Sequence, residues 1–380
     1  MTAIGPFSID MYLPGLQAIA KDLNTPIENV QLTLSSFFFG FSFGQLVYGP
    51  IIDRFGRKVP LLFGLTLYVI TSLGCVFANN VWVLMFLRFL QSLGACAGMV
   101  ISRAVVRDSF TPHEGAKVFS QIILVMGVAP IVAPTIGGII LSVASWRYIF
   151  ITLTLIGLLT MIGVYLYLTG TKEADSSVSL LPMQVIKEYW IVLITPRFYV
   201  YAIASSFAAS VMFAYIAGSP FVFMTIFQLT EQQYGWVFAF NAAGLILSSQ
   251  LNRILLQKYE SQKIILFVAY MYLPLGLLLL ASAYFQLGFI PILILIFLIV
   301  SGFGFIVPNA SALCLAPFTH NAGSASALMG GLQMIFAVIA TSSVSLLHNN
   351  TAMPMALVMA SSGFMTLVSL YIFKIPRNKS

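Results

Sequence analysis

GPIIDRFGRKVPLL, residues 49–62, interrupts an otherwise apolar chain. Asp53, Arg54, Arg57 and Lys58 fall within six positions, although only 8% of the 380 residues are charged. Long apolar runs flank the cluster, VQLTLSSFFFGFSFGQLVYG before it and VPLLFGLTLYVITSLGCVFA after it. Each is close to the roughly 20 residues that an α-helix needs to cross a bilayer. Four charges between two such runs mark a tight loop at a membrane surface.

The composition agrees with that reading. The chain is 59% hydrophobic, with a mean hydropathy of +0.98. Ordinary globular domains are about 45–50% apolar, and this chain lacks the charges that would solvate the excess. An integral membrane protein is expected. The net charge of +7 is spread singly and in short hairpins, so nucleic acid is not an expected partner. Cys75, Cys96 and Cys314 each lie inside an apolar run with no metal-type spacing, and read as small packing residues. His113, His320 and His348 form no cluster, and no GxxxxGK[ST] phosphate loop occurs. No metal, cofactor or ATP hydrolysis is expected, and no cluster of nucleophile, base or metal ligands suggests an enzyme.

Twelve spans can be read, at about 1–20, 30–52, 59–78, 81–106, 118–141, 146–169, 198–226, 233–251, 264–283, 289–315, 324–347 and 353–373. The first has no basic n-region and holds Asp10, so it does not read as a signal peptide. It is short, and is expected to be truncated at its start. The polar stretch 171–197 reads as a linker with a surface helix over Leu181 to Ile194. The expected organisation is all-α: a six-helix half (1–170), a linker (171–197), a second six-helix half (198–373) and a tail (374–380). Lys and Arg concentrate in the loops on one side: Arg54, Arg57, Lys58, Arg107, Lys117, Lys172, Lys187, Arg197, Arg253, Lys258, Lys263, Lys374, Arg377 and Lys379. Lys21 and Arg147 stand on the other. This bias predicts that both termini and the linker are cytoplasmic. A worn repeat pairs Arg54 with Arg253 and Pro14 with Pro220, half a chain apart. Paired halves are typical of secondary transporters.

Ionisable groups inside spans default to a functional reading. Asp10 lies about 16 Å from Lys21 at ~1.5 Å rise per residue, near mid-membrane. Burial there favours its protonated form unless a cation is near. Arg88, inside the fourth span, stays charged and needs an acid, carbonyls or water; Asp10 is the candidate acid. Arg103 is close enough to the cytoplasmic end to snorkel, or to pair with Asp108 or Asp53. In MGVAPIVAPTIGGIIL, Gly127, Pro130, Pro134, Gly137 and Gly138 suggest a bent fifth helix in close contact with a neighbour. Tyr12, Gln91, Tyr215, Asn241 and Gln333 are candidate cavity residues.

These stretches resemble the major facilitator superfamily. GPIIDRFGRKVPLL is similar to its loop signature between helices 2 and 3, and LRFLQSLGACAG to its helix 4 pattern, with Ser92 where Gly is usual. GVAPIVAPTIGG resembles the helix 5 signature of drug:proton antiporters, with Ala133 in place of a common Gly. FSIDMYLPGLQAIA resembles helix 1 of the Bcr/CflA-type drug-resistance branch. The resemblance implies a twelve-helix transporter of the bacterial inner membrane. It would export amphipathic drugs of bicyclomycin, chloramphenicol or sulfonamide type in exchange for protons, as a monomer. Asp10 would carry the proton and Arg88 would tune it. Gly49, Asp53, Arg54, Gly56, Arg57 and Lys58, with Arg103 and Asp108, would form a cytoplasmic latch, Asp53 facing the start of helix 11 near Gly323. Some such antiporters carry a second acid two turns earlier in helix 1, where this chain has Thr2. The alternative on the same fold is a proton-coupled exporter or importer of a small metabolite. A channel would need repeated polar rings, which isolated Asp10 and Arg88 do not make.

Overall fold

The computed structural model of the protein describes residues 1–109, 125, 128–129, 132–168, 182–318 and 322–372. The first span is α1 (Ile4–Asp10), a 3-10 turn (Leu13–Gly15) and α2 (Leu16–Asp22). Then follow α3 (Ile27–Phe55), α4 (Lys58–Val76), α5 (Val81–Ser109), α6 (Val132–Val143) and α7 (Arg147–Tyr167). The linker helix is α8 (Pro182–Leu193). α9 (Pro196–Pro220) runs on into a π-helical stretch, Phe221–Ile226. The remaining helices are α10 (Glu231–Leu255), α11 (Ser261–Tyr284), α12 (Phe289–Leu315), α13 (Ala322–Leu346) and α14 (Met353–Ile372).

Among the described residues, 9 helices are long and apolar enough to cross a membrane. The other three expected spans fall short for separate reasons. The first is broken in the middle. Most of 118–131 in the fifth lies outside the described residues. The eighth, α10, is long enough at 25 residues, but Glu231, Asn241, Gln250, Asn252 and Arg253 make it too polar.

Helix ends follow local chemistry. Thr230 and Gln233 cap α10 reciprocally: each backbone N–H donates to the other's side chain, at 3.0 and 3.3 Å. Asn80 Oδ1 accepts from the Trp82 N–H at 2.7 Å, so the Asn79-Asn80 turn opens α5 at once. Gly56 ends α3 with φ 76°, a left-handed value that glycine adopts at little cost. Pro14 ends α1. A proline offers no N–H to the carbonyl four residues back and clashes with it, and that carbonyl belongs to Asp10.

The chain divides into two compact units. Unit 1 comprises Met1–Ile186 with Thr230–Ala239; unit 2 comprises Lys187–Leu229 with Phe240–Ser380. In unit 1, α5 lies against α1, α3 and α4, and α7 against α1 and α4. In unit 2, α9 touches α12, α13 and α14, while α11 joins α12 to α14. α9 is almost wholly buried; its Ala- and Ser-rich sequence lets three helices close on it, as small residues do where helices meet in lipid.

Candidate functional site

The site is a buried polar cluster in unit 1, centred on Arg88 of α5, which is wholly buried. Its Nη1 donates to the Ser8 carbonyl oxygen at 3.0 Å and to Gln91 Oε1 at 2.7 Å. Gln91 Nε2 donates to Ser72 Oγ at 2.7 Å. One turn earlier on α4, the Tyr68 hydroxyl meets Ser8 Oγ at 2.7 Å. Ser8 Oγ donates to the Ile4 carbonyl, so Tyr68 is the donor of that pair. Closed through one turn of α4, the ring ties the first, third and fourth spans together.

Arg88 Nε and Nη2 have no hydrogen-bond partner among the described residues. The guanidinium carbon instead lies 4.4, 4.5 and 5.9 Å from the ring centroids of Phe37, Tyr12 and Phe150. Ring faces attract a cation, more strongly when both are out of water. Tyr12 is held in place by its hydroxyl, 2.8 Å from Thr33 Oγ1, whose own proton goes to the Val30 carbonyl.

The pairing of Asp10 with Arg88 expected from the sequence is not formed. Asp10 is 4% exposed and makes no ion pair or hydrogen bond among the described residues. Ser8 and Tyr12 both face Arg88, and Met11 and Tyr12 keep right-handed helical dihedrals. At 3.6 residues per turn, Asp10 therefore points to the other side of the first span. On α6, a Cβ at Gly137 would overlap the Met11 carbonyl oxygen, so α6 meets the first span one residue from Asp10. Gly138 approaches the Glu231 carbonyl oxygen less closely, at 3.1 Å from a built Cβ. Pro134 is buried on the same helix, while Gly127 and Pro130 lie outside the described residues.

The loop residues are placed as follows. Arg57 is 1% exposed. Arg54 stacks 6.0 Å from the Phe55 ring. Lys58 Nζ donates to the Tyr165 carbonyl at 3.1 Å, which fastens α4 to the end of α7. Gly49 is half-buried, and the side chains of Asp53, Arg103 and Asp108 lie outside the described residues.

The candidate cavity residues separate. Tyr12 and Gln91 belong to the Arg88 cluster and expose no surface. In unit 2, Asn241 Nδ2 donates to the Tyr215 hydroxyl at 3.2 Å, and Gln333 Nε2 to Ser205 Oγ at 3.3 Å. Ser8, Thr33, Tyr68, Ser72, Phe37 and Phe150 were not singled out from the sequence. A signal existed for four of the six: Ser8 with Tyr12, Tyr68 with Ser72, and Arg88 with Gln91 are polar pairs at helical spacing in apolar spans, and Thr33 is another hydroxyl within one. Phe37 and Phe150 carry no such mark among 32 phenylalanines.

A second charged cluster closes the far end of unit 1. Arg147 Nη1 and Trp146 Nε1 donate to Asp22 Oδ2 at 2.6 and 3.1 Å. Arg147 Nε also donates to the Val76 carbonyl at 3.1 Å. The Arg147 and Trp146 donors hold the Asp22 carboxyl below the usual carboxylate range.

The chain resembles known proteins over almost its whole length. The "Bicyclomycin resistance protein homolog" of Haemophilus influenzae is 32% identical over 371 residues, covering 98% of this chain and 93% of that one. "Multidrug resistance protein MdtL" of Escherichia coli is 27% identical over 329 residues, covering 87% and 82%. The crystal structure of a D-xylose-proton symporter superposes with a TM-score of 0.74 at 15% identity, covering 100% of this chain and 97% of that one; at that identity it shows the fold alone. The Major Facilitator Superfamily profile matches residues 1–341, and members of this family are transporters, not enzymes. With its apolar helices and this match, the chain is a multi-pass membrane protein that belongs to the major facilitator superfamily.

Proposed function

We propose that this transporter exports amphipathic drugs from the cytoplasm in exchange for inward protons. The observation that carries the reading is Asp10. It is a carboxylate with 4% exposure and no partner among the described residues, at the point where Pro14 interrupts the first span. A buried carboxylate without a cation favours its neutral form, so the site takes up a proton readily and loses it when water or a cation reaches it. The bicyclomycin-resistance and multidrug-resistance names of the two relatives support drugs as the substrates.

In this reading a proton from outside neutralises Asp10 and the drug leaves; loss of the proton to the cytoplasm resets the site. Each ligand drives the cycle only by binding the two states unequally. Arg88 acts through the position of the first span, which it holds by the Ser8 carbonyl. Gly49, Asp53, Arg54, Gly56, Arg57 and Lys58, with Arg103 and Asp108, form the latch at the cytoplasmic surface. The cavity is mostly apolar with few polar contacts, which suits weakly selective binding; Tyr215, Asn241 and Gln333 are its polar candidates. The protein works as a monomer in the bacterial inner membrane, with both termini cytoplasmic and the proton gradient in place of a cofactor.

The test is efflux of amphenicols, bicyclomycin-like compounds, sulfonamides and cationic dyes from cells making the chain, with and without a protonophore. Efflux that collapses with the protonophore and with Asp10→Asn is expected. Efflux that survives both overturns the mechanism.

A further inference from the structure

We infer that unit 2 holds a binding site for a small, flat, uncharged aromatic molecule, in the corner where the seventh and ninth spans end and the twelfth begins. A cavity of about 270 Å³ opens there. Ile226 and Phe227 close the seventh span, Ala283 and Gln286 stand at the end of the ninth, Ala352 precedes α14, and Ile292 of α12 lines the wall. Ala283, Ile292 and Ala352 are buried and make an apolar floor. Gln286 and Asn350 are exposed amides at the rim. The Phe227 ring is held edge-on to Phe289, with centroids 5.6 Å apart, so this side of the cavity is formed before any ligand arrives. Asn350 Oδ1 faces His348 Nε2 at 3.2 Å, which leaves the Asn350 Nδ2 to donate.

The repeat shows which shape is missing. In unit 1 the same corner lies between Asp22, the last residue of α2, Val76, the last of α4, and Trp146, which precedes α7. That corner is filled. Trp146 is 2% exposed, its indole N–H donates to Asp22, and its ring meets Phe150 edge-on at 5.9 Å. Arg147 donates to both Asp22 and the Val76 carbonyl. In unit 2 the matching residues are Ile226, Tyr284 and Ala352, and Ala356 stands where Phe150 does, four residues further on. Methyl groups replace both rings, and no carboxylate ends the seventh span. The cavity is thus the imprint of an absent indole. A flat ring would bury apolar surface on the floor and set its edge against Phe227. The rim amides would take one ring N–H, hydroxyl or carbonyl. Among the described residues no ionisable side chain lines the cavity, so a charged ligand would lose water with nothing to pair it. The volume lies just below the roughly 300–1,000 Å³ of pockets for drug-sized molecules, which limits the occupant to one or two fused rings. Once bound, it would tie the ends of three spans together, as Trp146 and Arg147 do in unit 1.

Indole is the probe. Gln286→Cys and Asn350→Cys, made singly in the full-length protein in nanodiscs, report on the rim, and Asn24→Cys, at an exposed turn of unit 1, is the reference. The native cysteines Cys75, Cys96 and Cys314 are buried and would be replaced in the background. The result expected is that indole slows modification by a charged maleimide severalfold and saturably at both rim positions, and leaves the reference unchanged. Indole-3-acetate should have no effect, and Ala352→Trp, which refills the corner, should abolish the slowing. Equal slowing at the reference would mean that indole merely partitions into lipid, and would overturn the site. So would slowing that survives Ala352→Trp, or none at either rim position. Indole-3-acetate as effective as indole would overturn the assignment to uncharged ligands. Reporters on two separate turns keep the test decisive if one variant fails to fold. No residue of this site takes part in the proposed proton exchange, and no step requires transport.

Discussion

The first and seventh spans are counterparts in the repeat, and each is broken near a proline, but in opposite senses. At Pro14 the helix tightens into a 3-10 turn. Beyond Pro220 it widens into π-helical Phe221–Ile226. The side chains at the two breaks differ more than the backbones. The first leaves the Asp10 carboxylate buried and, among the described residues, unpartnered, with Arg88 on the far side of the first span. The second is lined by Phe221, Val222, Phe223 and Met224, all buried. Phe221 stacks edge-on with His348, and Phe223 with Phe289. The same contrast appears between the spans that follow. Asp53 stands at the exit of α3, whereas its repeat counterpart Asn252 is neutral and accepts from Asn309 Nδ2 at 2.6 Å inside unit 2. The repeat preserved the helices and their proline breaks, and among the described residues the charges buried inside the spans, Asp10 and Arg88, stand in the N-terminal half. An unpaired charge in lipid is costly, so a second one at the other break would destabilise the fold.

Substitutions can break or sharpen this contrast. The largest effect is expected from Asp10→Asn, which should reduce proton-driven efflux to the level of cells lacking the protein; His348→Gln at the other break should leave most of it. Equal losses in the two would remove the asymmetry. Next, Arg88→Met combined with Gln91→Leu should abolish transport while thermal unfolding stays near that of the parent. Replacing both partners of a buried bond by apolar groups is close to neutral, and buried charges are often replaced without loss of stability. Unfolding of the double variant would assign the cluster a structural role instead.

Pro14→Ala and Pro220→Ala compare the breaks directly. Removing a proline from a helix interior relieves about 3 kcal/mol of disfavour, so each should let its helix close. Pro14→Ala is expected to slow efflux severalfold without lowering expression, and Pro220→Ala to slow it less; the initial rates decide. Gly137→Ala should cost about 1–3 kcal/mol by overpacking against the Met11 carbonyl, read as a lower melting temperature in detergent. The smallest effect is at the Asp22–Arg147 bridge, whose side chains are 43% and 28% exposed. Such pairs contribute about 0.2–1 kcal/mol. The Asp22 carboxyl is lowered in the folded protein, so its contribution is full above the ordinary carboxylate value of about 3.9. It disappears as pH falls through the lowered one. Melting curves from pH 7 down to pH 3 should show Asp22→Asn slightly less stable than the parent at pH 7, with the difference shrinking as the pH falls into the acid range.

Much of the architecture was legible in the residues themselves. Apolar runs of bilayer length, Pro14 and Pro220 half a chain apart, Gly56 at a turn and the spacing of Arg88 from Gln91 are local facts. Local facts determine helices, their ends and which residues share a face. Asp10 and Arg88 could be named as unusual because charge in a greasy span is costly wherever it lies. Their relation could not be read in the same way. Pairing Asp10, the acid read within the core of the first six spans, with Arg88 followed from composition, but the first span turns Ser8 and Tyr12 toward Arg88 and Asp10 away.

By itself, then, the sequence determined a chain of apolar helices, two repeated halves, and the identity of the ionisable groups that the membrane must accommodate. The tertiary structure alone decided which neighbours satisfy them. It gave Arg88 a carbonyl, an amide and three ring faces instead of a carboxylate, left Asp10 without a partner among the described residues, and brought Gly137 against Met11. Helix formation depends on neighbours three or four residues away. The rotation of one helix against another is set by how side chains from five spans fill a common interior, and no single stretch of sequence contains that.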